Sequence, residues 1–208
     1  MDLLTYLKIY FMSLVQSDYL SPYAQFVRMG YSASLLDGID IQRDETVLVL
    51  GGYLGDSATR ISKLFSCGVV VYEPVPEYAS VIDSLDLVHV EVRPRAVTSD
   101  GRNIDMQVLG DASSMCTSEA ASIQSDAVTD VLNERSYALL EVNIEGGEYE
   151  VLEAALSSSA TIPRILIVQF HNVGSDSEYR RSAIRRRLAE SMKCDIDLPF
   201  VWERWVAK

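Results

Sequence analysis

The sequence predicts an α/β protein with a mostly parallel, seven-stranded sheet, helices on both faces and an antiparallel last strand. Short apolar runs rich in Val, Ile and Leu alternate with amphipathic helical segments, which is the pattern of successive βαβ units. The 208 residues are 48% hydrophobic and 23% charged, which are ordinary values for a globular domain. We therefore expect one domain with a substantial core.

The first 45 residues predict helices that precede the sheet. Apolar residues recur there at three- and four-residue spacing, and Pro22 suits the start of a helix. The apolar stretch 3–15 is too short to span a bilayer and carries Asp2 before any basic residue, so a core-packing helix is preferred to a signal peptide. We predict an N-terminal helical extension at 1–45, part of the same domain as residues 46–208.

From residue 46 onward, strands and helices alternate. The predicted strands are 47–50, 69–73, 87–92, 137–144 and 164–170, and the predicted helices are 56–65, 77–85, 126–133, 148–157 and 175–191. Residues 93–125 lose the alternation and predict a small hairpin or extended excursion. Residues 194–206 predict two final strands joined near Pro199, antiparallel and at the sheet edge.

The glycines after the first strand predict a ligand-binding turn. Gly51 and Gly52 follow a buried strand, and Gly55 directly precedes the helix that starts at Asp56. Such a turn lets backbone N–H groups approach a ligand without a Cβ in the way. Glu73 ends the next strand about twenty residues later, where nucleotide-binding folds place the acid that binds ribose hydroxyls. The sequence thus predicts an adenosine-containing cofactor.

Two further strand ends carry polar residues that could perform chemistry. Asn143 and Glu145 alternate onto one side of a strand end, and His171 closes another apolar run. A neutral imidazole could accept a proton from a substrate hydroxyl or bind a metal. The sequence does not show whether these three residues converge on a divalent ion, so metal dependence stays open. For Glu148, the simplest interpretation is the start of a helix.

Charge and cysteine usage restrict the partners. A formal net charge of -12 argues against non-specific binding to nucleic acid or to an anionic membrane. Three widely spaced cysteines fit thiols in a reducing cytoplasm better than a disulfide frame or a zinc site. The basic residues at 180–187 predict a solvated helix face, with an anionic-substrate patch as the less favoured alternative. A homodimer is left open.

Four segments together resemble a known family. They are residues 47–56, 72–74, 143–148 and 169–171, which read VLVLGGYLGD, YEP, NIEGGE and QFH. In this combination they resemble the FkbM-like methyltransferases, which belong to the class I S-adenosylmethionine-dependent enzymes. The resemblance runs from about Val47 to the C-terminus, and the segment IEGxE with the later FH makes it fairly specific.

The resemblance implies a Rossmann-like sheet, an S-adenosylmethionine site and methyl transfer to a hydroxyl of a small-molecule or glycan acceptor. It implies that His171 or Glu145 takes the hydroxyl proton while Asn143 donates or accepts a hydrogen bond. The implied cofactor-binding residues are Gly51, Gly52, Tyr53, Gly55, Glu73, Pro74, Ala96, Asp111, Ser113 and Asn143. Of these, Glu73 would hold the ribose, and Ala96 with the loop of Asp111 and Ser113 would lie near the adenine.

Two positions differ from the family pattern and support a different hypothesis. Val49 stands where an acid is usual, two residues before the first glycine, and Asn143 stands where aspartate is usual. A non-catalytic module that binds the cofactor or its demethylated product is therefore the first alternative. A nicotinamide-dependent oxidoreductase is weaker, because Gly51-Gly52-xx-Gly55 lacks the G-x-G-x-x-G form.

Overall fold

A computed structural model of the chain describes residues 21–106 and 121–208. In these residues eleven strands are present, seven of them in one central sheet. The strands are β1 (Thr46–Leu50), β2 (Gly68–Tyr72), β3 (Val90–Arg93), β4 (Ala96–Thr98), β5 (Ile104–Met106), β6 (Ala121–Ile123), β7 (Ser125–Ala127), β8 (Leu139–Val142), β9 (Ile165–Val168), β10 (Met192–Leu198) and β11 (Trp202–Ala207).

Six α-helices and one 3₁₀-helix connect the strands in the described residues. They are α1 (Pro22–Arg28), the 3₁₀-helix (Tyr31–Leu36), α2 (Asp56–Phe65), α3 (Pro76–Ser84), α4 (Val128–Glu134), α5 (Glu148–Ser157) and α6 (Ser177–Leu188). The bounds of α2 and α5 agree with the sequence prediction, since each begins directly after a glycine turn.

The central sheet has the order β10-β11-β9-β8-β1-β2-β3. Strands β3, β2, β1, β8 and β9 run parallel to one another, whereas β11 runs antiparallel to both β9 and β10. The predicted mostly parallel, seven-stranded sheet with an antiparallel last strand is confirmed. In such a sheet, the carboxyl ends of the parallel strands meet at one edge, where ligands bind.

Side chains of β1 alternate between two hydrophobic cores, one on each face of the sheet. Leu48 and Leu50 pack into the core covered by α4, α5 and α6. Val47 and Val49 pack into the opposite core, which α2 and α3 cover. All four side chains are at most 1% exposed, so burial on both faces explains the continuous apolar run.

The described part of the N-terminal extension packs against the second core. Ser21 caps α1 by accepting the Ala24 N–H over 3.2 Å, and Leu35 and Leu36 are buried beside the sheet. Arg204 of β11 donates to the Leu35 carbonyl over 3.0 Å. The predicted division at residue 45 stays a prediction, and the prediction for the apolar stretch 3–15 lies outside the described residues.

The segment between β3 and β8 contains two small pairs of strands. β4 runs parallel to β7, and β5 runs antiparallel to β6, which confirms the predicted excursion. The predicted strand 87–92 is shorter at its start, because His89 is exposed and has a left-handed backbone (φ +64°). Nowhere in the described ranges does a helix combine the length and apolar character needed to cross a membrane.

Candidate active site

The loop after β1 turns at Gly51, whose backbone is left-handed at φ +91°. The Gly51 N–H donates to the Tyr72 carbonyl over 2.9 Å. A Cβ on Gly51 would lie 1.9 Å from the backbone oxygen of Asn143, which leaves no room for any side chain. Glycine is required here because the ends of β1 and β8 touch.

Gly52 lies close to side chains of β2 and α3, and Gly55 has a left-handed backbone (φ +88°). A Cβ on Gly52 would lie 2.6 Å from Ile82 Cδ1, and one on Gly55 would lie 2.8 Å from Leu85 Cδ1. The sequence predicts glycines that leave clearance for a ligand. In the structure Val71 and Ile82 fill the space beside Gly52, whereas the left-handed backbone favours glycine at position 55.

Glu73 anchors the glycine loop from the end of β2. It is 4% exposed, and its two carboxylate oxygens accept the N–H groups of Tyr53 over 2.7 Å and Val75 over 2.9 Å. Burial raises the pKa of Glu73, and these N–H donors act in the opposite direction. The Gly52 N–H also bonds to Glu73, and a carboxylate has about four acceptor sites, so Glu73 can hold the loop and still accept one hydroxyl donor.

Tyr53 lies at the exposed tip of the loop. Its backbone is left-handed (φ +46°), and its ring makes an edge contact with Tyr78, with centroids 4.9 Å apart. The strained φ is held by the hydrogen bond from the Tyr53 N–H to Glu73 and by this ring contact.

A buried carboxylate lies beside Val49, the position where the family pattern has an acid. Glu141 of β8 is the register partner of Val49 and is 4% exposed. Its Oε1 accepts the Ser57 hydroxyl over 2.5 Å, and Arg60 donates to the same Ser57 oxygen over 3.1 Å. Burial raises the pKa of Glu141. The neighbouring strand thus supplies an acid next to the first turn of α2.

Asn143 presents a buried oxygen with an unused bonding capacity. Its backbone N–H donates to the Leu50 carbonyl over 2.9 Å, which ties β8 to β1. Its side-chain Oδ1 is buried and finds no hydrogen-bond donor in the described part of the chain. A buried amide oxygen without a partner costs about 1–3 kcal/mol, so this atom is suited to a donor supplied by a ligand.

A cleft that is partly open to solvent lies at the carboxyl ends of β1 and β2. Gly51, Pro74, Ala96 and Glu145 are among the residues that line it. Four residues predicted from separate strand ends therefore border one cleft. The predicted contacts of Asp111 and Ser113 lie outside the described residues.

Beside this cleft, His171 lies between two carboxylates. Its Nδ1 is 2.7 Å from Glu148 Oε1, and its Nε2 is 3.3 Å from Glu145 Oε2. Tyr149 donates its hydroxyl to the His171 carbonyl over 2.7 Å. Burial acts to lower the pKa of His171, but the bonds to Glu145 and Glu148 outweigh it and raise the pKa to about 9. The ring is consequently an imidazolium at neutral pH.

The charge of His171 affects the two chemical roles that the sequence leaves open. An imidazolium has two N–H donors and no acceptor, so in this form His171 does not take a proton from a hydroxyl. Glu145 is the more exposed partner, with 39% of its side chain accessible, and it lines the cleft. Of the two predicted proton acceptors, the geometry favours Glu145.

Glu148 is the site residue that sequence reasoning missed. It does begin α5, as predicted, but its side chain is fully buried and bonds to His171. Its carboxylate also accepts the N–H groups of Ile144 over 3.1 Å and Gly146 over 2.9 Å. The spacing Glu145-xx-Glu148 across a glycine turn was the available signal, because a carboxylate at a helix start can fold back onto the preceding turn.

Only part of the basic segment of α6 is a solvated face: Arg186 and Arg187 are exposed, whereas Arg181 and Arg185 turn inward, which corrects the sequence prediction for these two. Arg181 is 5% exposed and lies 2.5 Å from the buried Glu203, and Arg185 pairs with Asp197 over 2.6 Å. Ligand atoms of Cys194, Asp197 and Glu203 lie close enough together to hold a metal, but the two guanidinium groups occupy both carboxylates. These arginines tie α6 to β10 and β11.

Comparison with known proteins gives a clear result for the fold. No family model matches the chain, and no curated protein matches its sequence. Solved structures do match, among them the methyltransferase FkbM from Methylobacillus flagellatus, with 13% identity and a TM-score of 0.57. That alignment covers 81% of this chain and 45% of the other, so this chain spans less than half of that protein.

Two other solved structures match along almost their whole length. An rRNA methylase from Streptococcus thermophilus is 8% identical with a TM-score of 0.50, covering 85% of this chain and 93% of that one. A Streptococcus mutans protein solved in complex with SAH is 7% identical with a TM-score of 0.50, covering 85% and 96%. The chain has the methyltransferase fold. The fold implied by the family resemblance is thereby confirmed.

Proposed function

We propose that this protein is an S-adenosylmethionine-dependent methyltransferase that methylates a hydroxyl group on a small-molecule or glycan acceptor. The main support is that a glycine turn, a buried acid and a carboxylate at the cleft mouth come together at one edge of a methyltransferase-fold sheet. Three solved structures with this fold include two methyltransferases and one complex with SAH.

The chain's own residues fit the cofactor. Asn143 Oδ1 is a buried acceptor without a donor among the described residues, and it suits the ammonium group of the cofactor's methionine end. Glu73 keeps an acceptor site for a ribose hydroxyl. Ala96 lines the cleft and would lie near the adenine. Each of these contacts is a binding or orienting role performed by residues already held in place.

Glu145 would accept the acceptor's hydroxyl proton. Bound S-adenosylmethionine supplies a sulfonium methyl group, so the acceptor oxygen bonds to the methyl carbon, the C–S electron pair stays on sulfur, and the hydroxyl proton passes to Glu145. Alignment of the reacting groups supplies much of the rate in such a displacement. A carboxylate at the cleft mouth favours an acceptor with a donor group over a phosphate or carboxylate.

The binding test uses the whole chain and calorimetry with S-adenosylhomocysteine. Asn143→Ala should weaken binding about tenfold, which corresponds to about 1.4 kcal/mol for one hydrogen bond to a charged group. The matched control is Asn133→Ala on the exposed surface of α4, which should bind like the wild type. If NAD raised the melting temperature of the protein and S-adenosylhomocysteine did not, the result would contradict the proposal.

The activity test follows transfer of a labelled methyl group into an acceptor panel. Sugars and small alcohols should be labelled, and a structured RNA should not, because a net charge of -12 repels a polyanion. Tight cofactor binding with no labelling of any acceptor would support the non-catalytic binding module instead. Labelling of RNA alone would overturn the proposed acceptor class while leaving the cofactor assignment intact.

A further inference from the structure

Glu148 is the best-connected carboxylate at the site, yet it does not line the cleft. Its side chain has no accessible surface, and it accepts the N–H groups of Ile144 and Gly146 as well as contacting His171 Nδ1 over 2.7 Å. A buried carboxylate is stable only when its lone pairs are satisfied, and these bonds satisfy it. The turn and the imidazole are therefore both held by one fixed group.

The side chains of Glu148, His171 and Glu145 lie in a line that runs from the core to the cleft. The accessible fraction rises from 0% at Glu148 to 18% at His171 and 39% at Glu145. Both ring nitrogens face a carboxylate, and rotating the ring by 180° would put carbon atoms in their places, so the two contacts fix the orientation of the ring. Glu145 has a left-handed backbone (φ +53°), which costs about 1–2 kcal/mol and is held in place by the bond to His171.

Other charged groups near this line are already paired. Arg180 on α6 binds Glu153 over 2.7 Å and lies over the Tyr149 ring. Arg181 faces Glu203, away from the imidazole. The groups that face His171 from the elements around it are thus Glu145 on the turn, Glu148 on α5 and the Tyr149 hydroxyl on its carbonyl.

We propose that Glu148 is a positioning residue: it holds His171 between the two carboxylates, and His171 in turn holds Glu145 at the cleft as the proton acceptor. This inference rests on the proposed function. It assigns the three residues different roles, with Glu145 catalytic and the other two acting through it. His171 is then a fixed cation during turnover and takes no part in proton transfer.

Nuclear magnetic resonance of the imidazole protons tests the inference without cofactor or acceptor. The chain has two histidines, so His89→Asn leaves only the signals of His171, and asparagine tolerates the left-handed backbone at that position. In this background the pKa of His171 should lie near 9. Glu148→Gln should lower it by at least about one unit, because the buried anion is gone.

A second variant covers the case in which Glu148→Gln does not fold. Glu145→Gln changes an exposed side chain, so the protein should fold, and the pKa of His171 should again fall. This variant should bind S-adenosylhomocysteine like the wild type and lose at least 100-fold in methyl transfer, as removal of a general base does. In folded Glu148→Gln, the alkaline fall of the pH–rate profile should move to lower pH together with the titration of His171.

Two results would overturn the inference. One is a His171 pKa near 6.5 in the His89→Asn protein. The other is a His171 pKa that neither carboxylate variant moves. Either result can be told apart from failure of the proposed function, because the titration of His171 can be measured even if the protein neither binds the cofactor nor transfers a methyl group. A Glu145→Gln protein that keeps full activity would also remove Glu145 from its catalytic role.

Discussion

Replacing Gly51 with alanine is the sharpest test of how the glycine loop is built. The variant adds a single methyl group at a left-handed position (φ +91°). That backbone costs a non-glycine residue about 1–2 kcal/mol. The new Cβ would also lie 1.9 Å from the Asn143 backbone oxygen, so the ends of β1 and β8 must separate.

The separation should break or weaken two backbone hydrogen bonds. These are the bonds from Gly51 N to Tyr72 O and from Asn143 N to Leu50 O, each 2.9 Å long. A net contribution of about 1 kcal/mol for each, added to the backbone strain, gives a total loss of about 3–4 kcal/mol. Gly38→Ala is the matched control, because Gly38 has φ +72° with nothing within 4 Å of a Cβ.

Urea unfolding of the two variants separates the cost of the left-handed backbone from the cost of the steric clash with Asn143. Gly38→Ala should lower the free energy of unfolding by about 1–2 kcal/mol, and Gly51→Ala by at least about 1 kcal/mol more. Gly51→Ala should also lose affinity for S-adenosylhomocysteine, measured by calorimetry, while Gly38→Ala retains it. Equal destabilisation by both variants would refute the idea that contact between the strand ends dictates glycine at position 51.

Three further predictions concern buried charge. Arg181→Met should lower the free energy of unfolding, measured by urea titration, by about 3–5 kcal/mol, because Glu203 stays buried and loses one of its partners. As a control, Arg180→Met breaks a surface ion pair and should lower the free energy of unfolding by less than about 1 kcal/mol. The His171 pKa is raised from 6.5 to about 9, so its stabilisation is complete below pH 6.5 and is lost as the pH rises through about 9. Unfolding free energies across that range should therefore fall by up to about 3 kcal/mol relative to His171→Gln, and parallel curves would contradict this. Glu73→Gln should fold but bind S-adenosylhomocysteine at least tenfold more weakly, because an amide offers one acceptor oxygen for two loop N–H groups; unchanged affinity would remove Glu73 from the cofactor site.

The regular elements could be predicted because their signals are local. Continuous apolar runs predicted the parallel strands, and glycines placed the starts of α2 and α5 where the structure has them. The predicted ends of strands and helices that lack a flanking glycine were less accurate. The third strand begins at Val90, later than predicted, because apolar residues before it belong to an exposed turn.

Side-chain pairing between distant segments could not be predicted. The arginines of α6 look like a solvated face because their spacing is that of a surface helix. Their partners Asp197 and Glu203 lie on strands that reach α6 only after β10 and β11 join the sheet. Likewise, Glu141 follows Val49 by more than ninety residues, and only the β1–β8 register makes them neighbours.

The sequence by itself determined the fold and the edge of the sheet at which the site lies. Burial on both faces requires continuous apolar strands, and tight turns require glycine, so both leave a local pattern. Only the tertiary structure decided what each polar residue does. It placed Glu148 next to His171, which raises the pKa of the imidazole, and it buried Asn143 Oδ1 without a donor among the described residues. Such properties depend on burial and on partners distant in sequence, because the charge of a group is determined by the atoms that surround it after folding.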